Sequence, residues 1–133
     1  VLVTVTLAYV FTPEGDAALA AALEEAQRRS SDVLVVNVTR PATGEASPYS
    51  EEQELDAVQA KLAEAGVASE VRQLPAGTDP VDAIIDGARE TGSELVVIGL
   101  RRRTAVGKLV LGSTAQRLLL GLDCPVLAVK APR

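Results

Sequence analysis

The residues with the clearest chemical potential lie between Gly99 and Ser113, in the stretch GLRRRTAVGKLVLGS. It delivers Gly112 and Ser113 to the start of a predicted helix, where unpaired amide hydrogens and the positive end of the dipole favour an anion by about 0.3 to 1 kcal/mol. Glycine lets a phosphate approach the backbone, and the Ser113 hydroxyl adds a donor. Gly107-Lys108 invites comparison with a P-loop, but that motif needs glycine five residues earlier and Ser or Thr after the lysine. Arg102 and Leu109 occupy those places.

The inventory of side chains excludes much other chemistry. Histidine is absent and Cys124 is the single cysteine, so a His/Cys zinc site, a Ser-His-Asp triad, a Cys-His pair and an internal disulfide are all ruled out. A reducing cytoplasm is the expected compartment. With 13 Lys and Arg against 18 Asp and Glu, the net charge of -5 offers no general attraction to nucleic acid or anionic membranes. Tyr9, Phe11 and Tyr49 are too few to stack single-stranded bases. The apolar run Val1 to Phe11 lacks a basic flank, carries Thr4 and Thr6, and is too short to span a bilayer, so it reads as neither signal nor anchor. The chain contains no methionine, which suggests that an initiator was removed or is not included.

The elements that would position the glycine loop follow from periodicity. At 133 residues, 47% hydrophobic and 23% charged, residues 1–133 are expected to form one domain with a core that needs no staple. Val1 to Val10 has the uncharged, β-branched content of a strand covered on both faces. Thr12 and Pro13 suit the start of a helix whose inward stripe is Leu19, Leu23 and Ala26. Val33 to Val38 is a second strand, and Thr39 to Tyr49 a polar loop with Pro41, Gly44 and Pro48. Ser50 and Gln53 have capping-box spacing before a helix carrying Leu55, Val58, Leu62 and Ala65, which Gly66 stops. Val67 to Leu74 reads as an edge strand. Thr78 or Asp79 caps a third helix with Pro80 first and Gly92 at its end. Leu95 to Ile98, Ser113 to Leu120 and Val126 to Val129 complete a βαβαβαβαβ order. Strands separated by helices run parallel through right-handed crossovers. The expected fold is therefore α/β: one doubly wound, Rossmann-like, five-stranded parallel sheet with helices on both faces. Ligands of such sheets sit beyond the carboxyl ends of the strands, where strand order reverses.

Gly99, the nine residues Arg103 to Leu111, and Gly112-Ser113 resemble the G-x2-G-x9-G-[S/T] signature of the universal stress protein family. The following AQRLLLGLDCPVLAVK is similar to the family's terminal helix and PVLxVK strand, and the resemblance covers essentially the whole chain. It implies a fold of the adenine nucleotide alpha hydrolase type and a cytoplasmic stress-response module. It also implies ATP, with magnesium, held by the signature loop, by an Asp at the end of strand one and by strand two at the adenine edge. Transferred residue by residue, Gly99, Gly112 and Ser113 match the phosphate signature, and Val36, Asn37 and Val38 fall near the adenine edge. Two positions depart. Arg102 stands at the second glycine, where its guanidinium could gain charge-assisted bonds to phosphate or fill the pocket. No acid lies between Val1 and Thr12, so Val10 or Thr6 stands nearest the strand-one Asp.

Each candidate also has an ordinary structural role. Gly99 could simply end a strand, Gly112 could permit tight helix-sheet packing, and Ser113 could cap its helix. Arg101 to Arg103 would be a solvated patch, Cys124 an inert core residue, and Asp79 and Asp82 first-turn acids. Resemblance and an otherwise exposed apolar edge at Val126, Leu127, Ala128 and Val129 predict a homodimer through that strand. The leading expectation is a non-enzymatic, ATP-binding universal stress protein. The alternative is a dimeric interaction protein that has lost ATP binding. A slow ATPase stays open as a third reading, although no general base can be named.

Overall fold

The computed structural model describes residues 4–39, 48–101 and 111–132. Five strands alternate with four helices: β1 (Thr4–Ala8), α1 (Pro13–Arg29), β2 (Asp32–Val38), α2 (Pro48–Glu64), β3 (Ser69–Leu74), α3 (Pro80–Thr91), β4 (Leu95–Leu100), α4 (Ser113–Gly121) and β5 (Val126–Lys130). All four strand pairings are parallel, in the order β3-β2-β1-β4-β5. The chain steps outward from β1 to β3, then returns across the sheet to place β4 on the other side of β1. Strand order therefore reverses between β1 and β4.

The two faces of the sheet are separated by strand parity. Val5, Leu7, Val33, Val35, Leu95 and Val97 pack with α1 and α2 through Leu19, Ala22, Leu55, Val58 and Leu62. Leu34, Val36, Val96 and Ile98 pack with α3 and α4 through Val81, Ile84, Ala88, Ala115 and Leu118. Burial on both faces explains why β1, β2 and β4 read as continuous apolar runs rather than alternating ones. Edge strands β3 and β5 are only partly covered. Thr6 tolerates full burial because its hydroxyl lies 2.6 Å from that of Ser93.

Helix ends follow local chemistry. Thr12 caps α1 by accepting from the Gly15 amide at 3.1 Å, and Asp79 caps α3 by accepting from the Val81 amide at 2.9 Å. Proline follows each cap, where no amide hydrogen is missed. Gly92 ends α3 in the left-handed conformation at φ 61°. Four expectations are corrected. Helix α2 begins at Pro48, so Ser50 lies inside the helix and not at its cap, because proline's fixed φ suits the first turn. The loop expected to end at Tyr49 thus ends earlier, and its residues 40–47 lie outside the described ones. Strand β4 runs on to Leu100, so Gly99 lies within the strand and does not end it. Strand β1 is Thr4–Ala8, shorter than Val1 to Val10 at its carboxyl end because the chain turns there; residues 1–3 are not described.

Candidate functional site

The carboxyl ends of β1 and β4 flank the reversal point. Beyond β1 the chain turns tightly, with the Thr12 amide donating to the Val10 carbonyl at 2.9 Å. Helix α1 starts directly against this turn. A Cβ on Gly15 would lie 1.8 Å from the Val10 carbonyl oxygen, so only glycine fits there. On the opposite side of the same helix start, a Cβ on Gly99 would lie 2.4 Å from the Glu14 carbonyl oxygen. Gly99 is thus required by packing between β4 and α1.

Gly112 is different. It is the N-cap of α4 with φ -66° and ψ 160°, angles open to any residue, and no described atom lies within 4 Å of the position a Cβ would take. Packing among the described residues gives no reason for glycine. Among the described residues no side chain caps α4; Ser113 is its first helical residue rather than its cap. The amides of Ser113, Thr114 and Ala115 precede the first intrahelical bond, which runs from the Gln116 amide to the Gly112 carbonyl at 3.1 Å. Ser113 and Thr114 are exposed. This helix end can accept an anion at three amides and a hydroxyl, with close approach over Gly112.

Val10 stands at the mouth and is 48% exposed, whereas Thr6 is fully buried inside the sheet. Of the two candidates, Val10, just beyond the end of β1, and not Thr6, can therefore face a ligand. On β2, Val36 is buried towards α3. Asn37 is buried and committed: its amide donates to the Tyr9 carbonyl at 2.8 Å, tying the end of β1 to β2, while its oxygen lies 3.5 Å from Gln73 Nε2. Of the adenine-edge candidates, only Val38, at the end of β2, is left half-buried. Arg102 lies outside the described residues; Arg101 is exposed.

Sequence reading missed three features of this rim: the Gly15 contact, the Asn37 brace and an ion pair between helices. Arg117 of α4 holds the Asp79 carboxylate end-on through both terminal nitrogens, with Nη2 donating to Oδ2 at 2.8 Å and Nη1 to Oδ1 at 3.3 Å. The guanidinium holds the Asp79 carboxyl below its ordinary pKa, assisted by the Val81 amide. No spacing rule links residues 38 positions apart; only the helix start at Thr78, Asp79 and Pro80 was visible.

A hollow of about 480 Å3 lies elsewhere, between α1 and α2, lined by Tyr9, Phe11, Leu19, Val58, Glu54 and Lys61 among others, with no residue of β4 or α4. Tyr9 donates to Asp16 at 2.9 Å there. Burial, then that bond and the nearby charges of Asp16 and Glu54, push the phenol well above its ordinary pKa. Burial likewise pushes the Cys124 thiol up, away from the reactive thiolate. Among the described residues no cluster of three or more His, Cys, Asp or Glu could hold a metal, and no helix is long and apolar enough to cross a membrane.

An open parallel sheet that reverses its order beside β1, with the starts of α1 and α4 following the two strands at that reversal, defines the doubly wound, Rossmann-like class. The family model described as "Universal stress protein family" matches residues 2–130. A universal stress protein of Mycolicibacterium smegmatis is 41% identical over 126 residues, covering 95% of this chain and 96% of the relative. Among solved structures, a universal stress protein from Archaeoglobus fulgidus superposes with TM-score 0.75 at 27% identity, covering 98% of this chain and 94% of that one. The universal stress protein from Archaeoglobus fulgidus in complex with dAMP gives TM-score 0.69 at 26% identity over 98% of both chains. The chain belongs to the universal stress protein family.

Proposed function

We propose that this protein is a cytoplasmic, non-enzymatic stress-response module, one domain over residues 1–133, that binds ATP with magnesium at the β1/β4 crevice. The observation that carries the reading is Gly112. It is a glycine without a packing or conformational need among the described residues, at the start of α4, where the amides of Ser113, Thr114 and Ala115 and the Ser113 hydroxyl have no partner among the described residues. A phosphate resting there would explain the residue. The relative solved with dAMP supports an adenine nucleotide as its bearer. Val38 would line the adenine side and Val10 the nucleoside side. Gly99 would act indirectly, by letting α1 close against β4. Arg102 would supply a cation to the phosphates in place of backbone.

A second reading is favoured by Val10. An exposed apolar side chain at the mouth cannot accept a ribose hydroxyl, so the crevice would serve a nucleotide-independent interaction protein. Under either reading the chain pairs as a homodimer through β5, where Val126, Leu127 and Val129 are half-buried and Ala128 is exposed on an edge strand. A slow ATPase lacks a nameable base at the crevice.

Calorimetric titration with ATP and magnesium, on the wild type and on Arg102→Gly, tests the choice. Micromolar binding, about -8 kcal/mol, that weakens in the variant establishes Arg102 as a phosphate ligand. Binding that appears only in Arg102→Gly supports the interaction module. Sedimentation of wild type and Leu127→Asp tests the dimer.

A further inference from the structure

The Asp79–Arg117 pair is not accounted for by folding needs alone. Side chains of both residues are solvent-accessible, 37% and 52% exposed, and exposed ion pairs contribute little stability. Its position is more telling. Helix α3 packs beneath β1 and β2, and α4 packs with Val96 and Ile98 of β4. The two helix starts therefore flank the reversal point, and the pair spans them. Arg117 lies four residues after Ser113, on the same face of α4 and about 6 Å along its axis. Helical side chains lean towards the N-terminus, which carries the guanidinium towards the first turn of α4. Asp79 cannot withdraw, because its Oδ1 also accepts from the Val81 amide as the cap of α3.

We infer that Arg117 determines which anions the start of α4 accepts, by neutralising the fixed carboxylate of Asp79 at the edge of the crevice. Without that guanidinium, a negative charge anchored to α3 faces the developing site and repels phosphate, more strongly as the ligand's charge grows. With it, the Asp79 charge is offset and its repulsion of the ligand is removed, while Asp82 in the same first turn also faces Arg117. Arg117 is thus a positioning and charge-compensating residue, distinct from the groups that touch the ligand. The inference rests on the anion-binding reading of α4 given above.

The test uses Arg117→Gln, Asp79→Asn and the double variant, each checked for wild-type secondary structure and dimer state. Affinities for ATP, AMP and inorganic tripolyphosphate are measured by calorimetry at low and high salt. Arg117→Gln is expected to lose at least about tenfold in affinity for ATP and tripolyphosphate and less for AMP, with the loss shrinking in salt. The double variant, lacking both charges, recovers to within about threefold of wild type. A purely structural pair would instead affect all ligands equally and would not be rescued by removing the second partner. Equal losses, absent rescue or unchanged affinities in Arg117→Gln overturn this inference while leaving nucleotide binding intact. A wild-type protein that binds tripolyphosphate but no nucleotide overturns the ATP reading alone, and the variants are then judged on tripolyphosphate. A wild type that binds neither ligand overturns both.

Discussion

Gly99 and Glu14 meet backbone to backbone: the Glu14 carbonyl oxygen occupies the space 2.4 Å from where a Gly99 Cβ would stand. This contact brings the start of α1 down onto β4 and closes one wall of the crevice. It also separates two glycines that belong to one sequence signature. Gly99 serves packing, whereas no described atom outside its chain neighbours comes within 4 Å of where a Gly112 Cβ would stand.

Replacing Gly99 by alanine forces α1 away from the sheet, since the obstructing atoms are backbone and cannot rotate aside. The expected cost is about 1 to 3 kcal/mol, read as a lower urea midpoint without a change in slope. Gly15→Ala, with its Cβ at 1.8 Å from the Val10 oxygen, should be more damaging still.

Gly112→Ser should move stability and affinity in opposite directions. The added side chain has room, and its hydroxyl can cap the α4 amides, raising stability by a few tenths of a kcal/mol, roughly the difference between serine and glycine at such a position. The same hydroxyl then competes with a phosphate for those amides, so ATP affinity falls. Parallel thermal melts and titrations check both signs.

Asn37→Ala removes the donor to the Tyr9 carbonyl at a position only 2% exposed. An orphaned buried carbonyl costs about 1 to 3 kcal/mol, and the turn carrying Val10 loses its tie to β2. Denaturant unfolding measures the first effect. Faster amide exchange at residues 9–12 reports the second.

Tyr9 makes the fold sensitive to alkali. Its folded pKa is raised above the ordinary 10.0, so its contribution is fully present below pH 10 and is lost as pH climbs from there towards the folded value, while the unfolded chain ionises first. Tyr9→Phe should therefore lose less stability than wild type between about pH 9 and pH 11. Urea midpoints across that range provide the comparison.

The expected architecture followed from local signals that the structure bears out. Apolar runs without charge marked strands covered on both faces, Thr12-Pro13 and Asp79-Pro80 marked helix starts, and Gly92 marked a stop. The capping-box spacing at Ser50 misled because Pro48 can open a helix equally well. Arg102 shows a different limit, since a side chain that could either bind or block is not resolved by its spacing alone.

The order of strands and helices, the membership of the family and the short list of glycines were legible along the chain, because they depend on period, turn chemistry and motif spacing. The role of each glycine emerged with the packed fold. Whether a glycine is needed depends on which atom approaches it from a distant element, as Glu14 approaches Gly99 and nothing described approaches Gly112. Whether Asn37 reads a ligand or braces Tyr9, and whether Asp79 finds Arg117, depends on strands and helices brought together from 28 and 38 residues away. Such encounters are set by packing of the whole sheet, and no local pattern encodes them.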